Sequence, residues 1–328
     1  MQMNSIYFLV QHMFYFAMPL LIVAMAGLFS ERSGVINIAL EGLMMFGAFG
    51  GAVFIAIMQA ATVNNPMNPS LLLILALFVA GASGLLISVL HAFASINMKA
   101  NQIISGTAIN MLAPALLGFT ARLITVNSTD KIAFSNNFQI QSVPLLGNIP
   151  VIGPLFFQSA FVTTYLGIAG LFVARFVLYK TRFGLRLRSC GEHPQAADSV
   201  GINVTKMRYA GVLISGALAG IGGLIFVIPV TAEFDTQQGV IGYGFLALAV
   251  LIFGQWKPYR ILFAAFFFGI LQTIAASSSV LPGIRDLPVN SYFYNAMPYI
   301  ITIIVLAITS KKSQAPKAAG IPYDKGSR

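Results

Sequence analysis

The sequence predicts an all-α protein that crosses a membrane many times, and three observations carry that prediction. Of 328 residues, 57% are hydrophobic and only 9% are charged, with a mean hydropathy of +0.83. A soluble domain carries roughly 25% charged and 45–50% apolar residues. The apolar residues are gathered into nine runs, near 8–29, 36–60, 71–95, 102–120, 155–179, 208–230, 240–255, 260–280 and 294–310. A spanning helix needs about 20 such residues, whereas barrel strands are about 9–11 long and alternate in polarity. These runs are longer and apolar all round, and helices satisfy their own backbone in lipid. Finally, the single cysteine, Cys190, excludes an intramolecular disulfide and a multi-cysteine metal site. A soluble enzyme, a nucleic-acid binder, a disulfide scaffold and a disordered chain are all excluded.

Each run has its own boundaries. The first has no Lys or Arg ahead of Arg32, so it lacks the basic n-region of a signal peptide and is expected to remain as a span. The second opens after Gly34-Val35-Ile36 and stops before Asn64-Asn65-Pro66. Lys99 separates the third from the fourth, and a polar, Gly/Pro-rich stretch from Thr125 to Pro154 precedes the fifth. The sixth follows the basic loop 180–207, and the seventh opens on Gly239-Val240-Ile241, an echo of the second. Pro258 introduces the eighth, and the ninth leads into the tail 311–328. A re-entrant half-span would make ten. The echoing openings, five helices apart, fit an inverted repeat with substrate near the midplane.

The charge of +10 sorts by loop. Alternating the spans puts 30–35, 96–101, 180–207, 256–259 and 311–328 on one side. With Arg208, Arg260 and Arg175, that side holds 16 of the 19 basic residues; the other holds Arg122, Lys131 and Arg285. The positive-inside rule makes the first side cytoplasmic, with the N-terminus outside and the C-terminus inside. Lys311, Lys312, Lys317 and Lys325 then read as a stop and orientation signal, and the transmembrane domain as 1–310.

Inside the 180–208 loop lies a short-helix signature, Glu192-His193-Pro194-Gln195-Ala196-Ala197-Asp198-Ser199-Val200-Gly201. Pro194 suits a first turn, Glu192 adds negative charge at the helix start, and Gly201 can end it left-handed. The expected helix is Gln195–Val200, suited either to docking in a groove of another protein or to serving as a connector. No G-x-x-x-x-G-K-[ST] loop occurs, so ATP-driven work needs another subunit.

Four stretches in order carry a family resemblance: Ser30-Glu31-Arg32-Ser33-Gly34 with Ala39-Leu40-Glu41-Gly42; Ser105-Gly106-Thr107-Ala108-Ile109-Asn110; Gly191-Glu192-His193-Pro194; and Gly242-Tyr243-Gly244-Phe245 through Gly254. Together they resemble the permeases of ABC importers of the branched-chain amino-acid/ribose/nucleoside superfamily, in its nucleoside (basic membrane protein-associated) branch. The resemblance implies a bacterial cytoplasmic-membrane permease without a cofactor of its own. It implies as partners a second permease, different in sequence by the habit of that branch, an ATPase that binds ATP and Mg, and an extracytoplasmic binding lipoprotein. Glu192, His193, Pro194, Ala196, Ala197 and Gly201 would couple to the ATPase. Ribose-like sugars and riboflavin are rival substrates, and an ion-coupled secondary transporter is the rival class.

For the pathway, Glu41 is the one acid well inside a run, where charge costs about 2.5–3.5 kcal/mol or more. It reads as a pathway or gate residue, or as a packing partner of Arg32. Asn37, Asn101, Gln102, Asn110 and Gln272 suit either helix-to-helix hydrogen bonds or a neutral polar substrate. Asn37 and Asn110 rank first because they sit in the matched motifs. Tyr243 and Phe245 could stack on a base or simply pack. His12 and His91 read as packed or interfacial and not as ligands, and Gly47–Gly51 and Gly216–Gly220 as close helix contacts.

Overall fold

The computed structural model describes residues 2–125, 128–135, 137–144, 146–237, 239–278, 290–309 and 314–326. All nine apolar runs hold a helix: α1 (Gln2–Arg32), α2 (Leu40–Ala61), α3 (Pro69–Ala92), α4 (Gln102–Ile124), α5 (Val162–Lys180), then α8 (Val204–Val230), α9 (Tyr243–Phe253), α10 (Pro258–Ala276) and α11 (Ser291–Thr309). Between α5 and α8 stand α6 (Arg182–Glu192) and α7 (Pro194–Ser199). Among the described residues, seven helices are long and apolar enough to cross a membrane: α1, α2, α3, α4, α5, α8 and α10. The protein is a multi-pass membrane protein.

Two runs need correction, and the ninth, 294–310, gives an apolar helix that is shorter than the seven over its described residues, Tyr292–Val305. The run 240–255 is not a full span, because α9 has 11 residues, or about 16 Å at 1.5 Å per residue, against a hydrocarbon core of about 30 Å. Gly242, at φ +86°, breaks the chain in the left-handed region just before it. The run 155–179 becomes helical only at Val162; its first residues form a turn and strand β3 (Gln158–Phe161). That strand pairs antiparallel with β2 (Gln139–Ser142), while β1 (Lys131–Ala133) pairs with β4 (Glu233–Asp235). These ladders cap one end of the helices. Gln11 and Tyr15 of α1 clamp it by hydrogen bonds to the Pro154 and Ser159 carbonyls, both 2.7 Å.

α1 forms the buried centre, with α8, α10, α9 and α5 packed against it, and Leu21, Val23, Ala24 and Leu28 are wholly enclosed. The α2–α3–α8 contact is built on glycines. Gly47 lies against the Gly220 backbone, Gly84 against Gly216, and Gly223 against the Met44 carbonyl, all closer than a methyl could stand. In lipid, where apolar burial does not drive association, such close backbone packing does. Gly47→Leu is therefore expected to cut the amount of folded permease in membranes several-fold, since overpacking a tight contact costs about 1–3 kcal/mol or more. Quantitative immunoblotting of membrane fractions against wild type checks it.

At the end opposite the ladders the basic loops meet. Arg32 pairs with Glu192 at 3.4 Å and donates to the Trp256 carbonyl at 3.0 Å, and Lys99 pairs with Asp324 at 3.0 Å. The alternation inferred from the charges thus corresponds to one physical face. Residues 314–326 do not trail from that face as a free tail but lie back across it. Arg285, Lys311 and Lys312 lie outside the described residues.

Candidate functional site

Between α1 and α2 the chain runs unwound from Ser33 to Ala39 through buried surroundings. A backbone group left unpaired there would cost about 1–3 kcal/mol, so the segment depends on side chains sent from neighbouring helices. Gln102 Oε1 accepts the Ile36 N–H at 2.7 Å, and His91 Nε2 donates to the Ile36 carbonyl at 3.1 Å. The His91 Nδ1 is then left to accept from Ser105 Oγ, also 3.1 Å. Ser30 Oγ donates to the Val35 carbonyl at 2.7 Å. Asn37 is fully buried; its Nδ2 donates to Ser215 Oγ at 2.9 Å and its Oδ1 accepts from the Ala39 N–H at 3.1 Å. Asn110 closes the set: Nδ2 donates to the Ile38 carbonyl and Oδ1 accepts from the Gly42 N–H, both 2.8 Å. Asn110 stands eight residues into α4, about 12 Å from its start, so the break reaches well into the membrane.

The start of α9 comes to meet this break. Gly242 offers no side-chain cap, so the first N–H groups of the helix would be orphaned. Glu41 supplies the cap from 201 residues away: its Oε2 accepts the Gly242 N–H at 2.9 Å, and the amides of Gly244 and Phe245 also hydrogen-bond to its carboxylate. A carboxylate at a helix N-terminus contributes about 0.3–1 kcal/mol, and up to about 2 when partly buried. Gly244 permits the approach, because a Cβ there would overlap the Glu41 backbone. The alternative pairing of Glu41 with Arg32 is not the one formed, since Arg32 is engaged by Glu192 and Trp256. Tyr243 packs inward between Phe16 and Phe226, with its ring 4.1 Å from that of Phe226, whereas Phe245 is 49% exposed. Asn101 caps α4 through the Ile103 and Ile104 amides, and Gln272 is buried in α10.

The loop between α5 and α8 contains more structure than its sequence signature indicates. Thr181 caps α6, accepting the Gly184 N–H at 3.1 Å. The buried positions Gly184, Leu187, Cys190 and Gly191 recur at helical spacing, which is the signal that marks α6 in the sequence. Glu192 is the last residue of α6 and pairs with Arg32 instead of serving the start of α7. α7 covers Pro194–Ser199, one residue earlier than the sequence suggests, with Pro194 in its first turn. Gly201 at φ +83° ends it: its N–H donates to Asp198 O at 2.9 Å and the Ile202 N–H to Ala197 O at 3.0 Å, the paired bonds of a Schellman stop. Pro194 and Ala197 face inward, and His193, Gln195, Ala196, Ser199 and Val200 outward.

His91, Ser215 and Arg208 escape sequence reasoning. His91 and Ser215 look like ordinary members of apolar helices, and only the position of the break gives them work. Arg208 looks like a loop cation, yet it is 1% exposed.

A multi-pass helical protein in which an unwound segment and a half-length helix meet at membrane depth is a membrane transport protein. The chain belongs to the family described as branched-chain amino acid transport system / permease component, which it matches over residues 9–306. It is similar to the guanosine ABC transporter permease protein NupQ of Bacillus subtilis (strain 168), 46% identical over 315 residues and 95% of each chain. It is also similar to the nucleoside ABC transporter permease protein NupC of Lactococcus lactis subsp. cremoris (strain MG1363), 41% identical over 326 residues and 98% of each chain. A second Bacillus subtilis protein, the guanosine ABC transporter permease protein NupP, is 24% identical over 299 residues, covering 89% of this chain and 78% of its own. No solved structure matches the chain.

Proposed function

We propose that the chain is the permease subunit of an ATP-driven importer that takes up nucleosides across a bacterial cytoplasmic membrane. The similarity to NupQ and NupC along nearly the whole chain carries this reading. It favours nucleosides over ribose-like sugars or riboflavin, and an ATP-driven system over an ion-coupled one. The basic face is cytoplasmic by the positive-inside rule, and the N-terminus is outside. That Bacillus subtilis has both NupQ and NupP under the guanosine name supports a partner permease different from this chain. ATP and Mg belong to an ATPase subunit that docks on the outward face of α7, and an extracytoplasmic lipoprotein delivers substrate at the ladder end.

The Gly34 and Gly239 openings are the two halves of an inverted repeat, meeting where Glu41 caps α9. Substrate passes beside this junction. Glu41, Asn37 and Asn110 hold the backbone that lines the path, Tyr243 supports it from behind, and the exposed Phe245 offers its ring face to a base, a contact worth about 1–3 kcal/mol in single-stranded nucleic-acid binding. Uptake of radiolabelled guanosine by proteoliposomes holding the complete complex is expected to require ATP on the ATPase side of the membrane and to stop with vanadate. Accumulation that continues without ATP would overturn the ATP-driven reading.

A further inference from the structure

Residues 314–326 are tied to the basic face at four separate elements. The Ala318 N–H donates to the Gly191 carbonyl at 2.9 Å, at the junction of α6 and α7. The Gly320 N–H donates to the Gly34 carbonyl at 3.2 Å, at the mouth of the α1–α2 break. Arg208 Nη1, near the start of α8, donates to the Ile321 carbonyl at 2.9 Å. Lys99, in the turn before α4, pairs with Asp324 at 3.0 Å and holds that carboxyl below its ordinary range, chiefly by the hydrogen bond. Tyr323 packs on the cluster of Cys190, Ala197 and Val204, so it touches the inward side of α7 as well. Gly320, at φ +80°, turns the strap over Ile36.

Arg208 shows that this docking is not all gain. Its side chain is 1% exposed, and its Nε and Nη2 have no hydrogen-bond partner. Its guanidinium meets the Ile321 carbonyl and lies 6.0 Å from the Tyr323 ring, both belonging to the strap. Leaving buried donors unmet is unfavourable, and more so on a charged group. When the strap lifts, water reaches those donors, so the backbone bonds lost on release are offset by solvation regained. An element whose bound and free states lie close in energy can be switched by a modest differential force.

We infer that residues 317–324 are a moving strap of the transport cycle and that Arg208 is the positioning residue that seats it. Docked, the strap joins α7 to the α1–α2 break and covers the mouth of that break at Gly34 and Ile36; displacement of α7 lifts it and frees the break to open. This rests on the proposed role of α7 as the ATPase contact, but the cross-linking arm of its test does not.

The test fixes the strap in place. In a Cys190→Ser background, Lys99→Cys and Asp324→Cys are joined by a short bis-methanethiosulfonate reagent, which can reach both positions because they are 46% and 56% exposed. Guanosine uptake by the complete complex is expected to fall about tenfold, within the usual range of coupling effects, and to return with dithiothreitol. Cross-linked protein that transports at the unlinked rate would overturn the strap. The cross-linking arm reads uptake alone, so vanadate-insensitive uptake would sink the ATP-driven reading and leave the strap result standing. The second arm compares Arg208→Gln with Arg208→Lys. Guanosine transported per ATP hydrolysed is expected to fall about fivefold or more in Arg208→Gln, with the KM for guanosine unchanged and partial recovery in Arg208→Lys. A purely structural arginine would lower uptake and ATPase together with protein amount and leave that ratio intact, which would refute the positioning role.

Discussion

Asn110→Leu is expected to destabilise the permease by about 2–6 kcal/mol, the largest effect of any single side chain in the break. The substitution keeps the branching at Cγ and is apolar, so by hydropathy alone it should suit a membrane helix. Its cost arises elsewhere. Asn110 is the partner of the Ile38 carbonyl and the Gly42 N–H, and removing it leaves two partly buried backbone groups unmet, at about 1–3 kcal/mol each. Against a typical total of about 5–15 kcal/mol, that loss is enough to lower the melting temperature of the detergent-purified protein markedly and to deplete it from membranes. Asn110→Asp keeps the acceptor for Gly42 but not the donor for Ile38, and is expected to fall between wild type and Asn110→Leu. A leucine variant that melts with wild type would show that water, not Asn110, satisfies the break.

Ala196→Trp is expected to reduce ATP-driven guanosine uptake tenfold or more while leaving the permease folded and present, a change of about 1.4 kcal/mol per factor of ten. α7 is seated by Pro194 and by Ala197, which is 3% exposed, while Ala196 faces out. A bulky ring at an exposed helix position away from special features changes stability by about 0.5 kcal/mol or less, but it would keep a small-residue helix from entering a groove on the ATPase. Ala197→Trp provides the contrast: its ring would have to displace Cys190 and Val204, so it should lower protein amount. The pair of neighbouring alanines thus separates contact from folding. Wild-type uptake by the Ala196→Trp complex would refute α7 as the docking element.

The spans were legible in the sequence because lipid imposes one rule on every residue of a crossing helix. Seven of the nine runs became helices long enough to span, and the close glycine contacts at Gly47 and Gly220 appeared as read. The run at 240–255 misled because hydropathy measures the environment a segment lies in, and says nothing of whether the segment crosses it. Gly242 was visible as a glycine in a motif, but its left-handed φ, and hence the half-length of α9, was not. α6 is faint in the sequence because Leu187 is the one large apolar residue on its buried face, the rest of which is Gly184, Cys190 and Gly191. Glu41 was singled out by the cost of burying a charge, and that cost was real, although the compensation came from the amides of α9 and not from Arg32.

By itself the sequence determined that this chain lies in lipid, which loops share a face, where a short helix interrupts the basic loop, and which family its motifs resemble. The first three follow from composition, charge placement and spacing along the chain, and the last from a resemblance carried by four motifs in order. Tertiary structure alone decided that Glu41 caps a helix 201 residues away, that His91, Gln102 and Asn110 sustain the unwound backbone, and that the tail is a strap seated by a buried arginine. The physical reason is common to all three. A backbone N–H or carbonyl carries no mark in the sequence of being left unpaired, so the side chain that must satisfy it is specified only when the chain brings the two together.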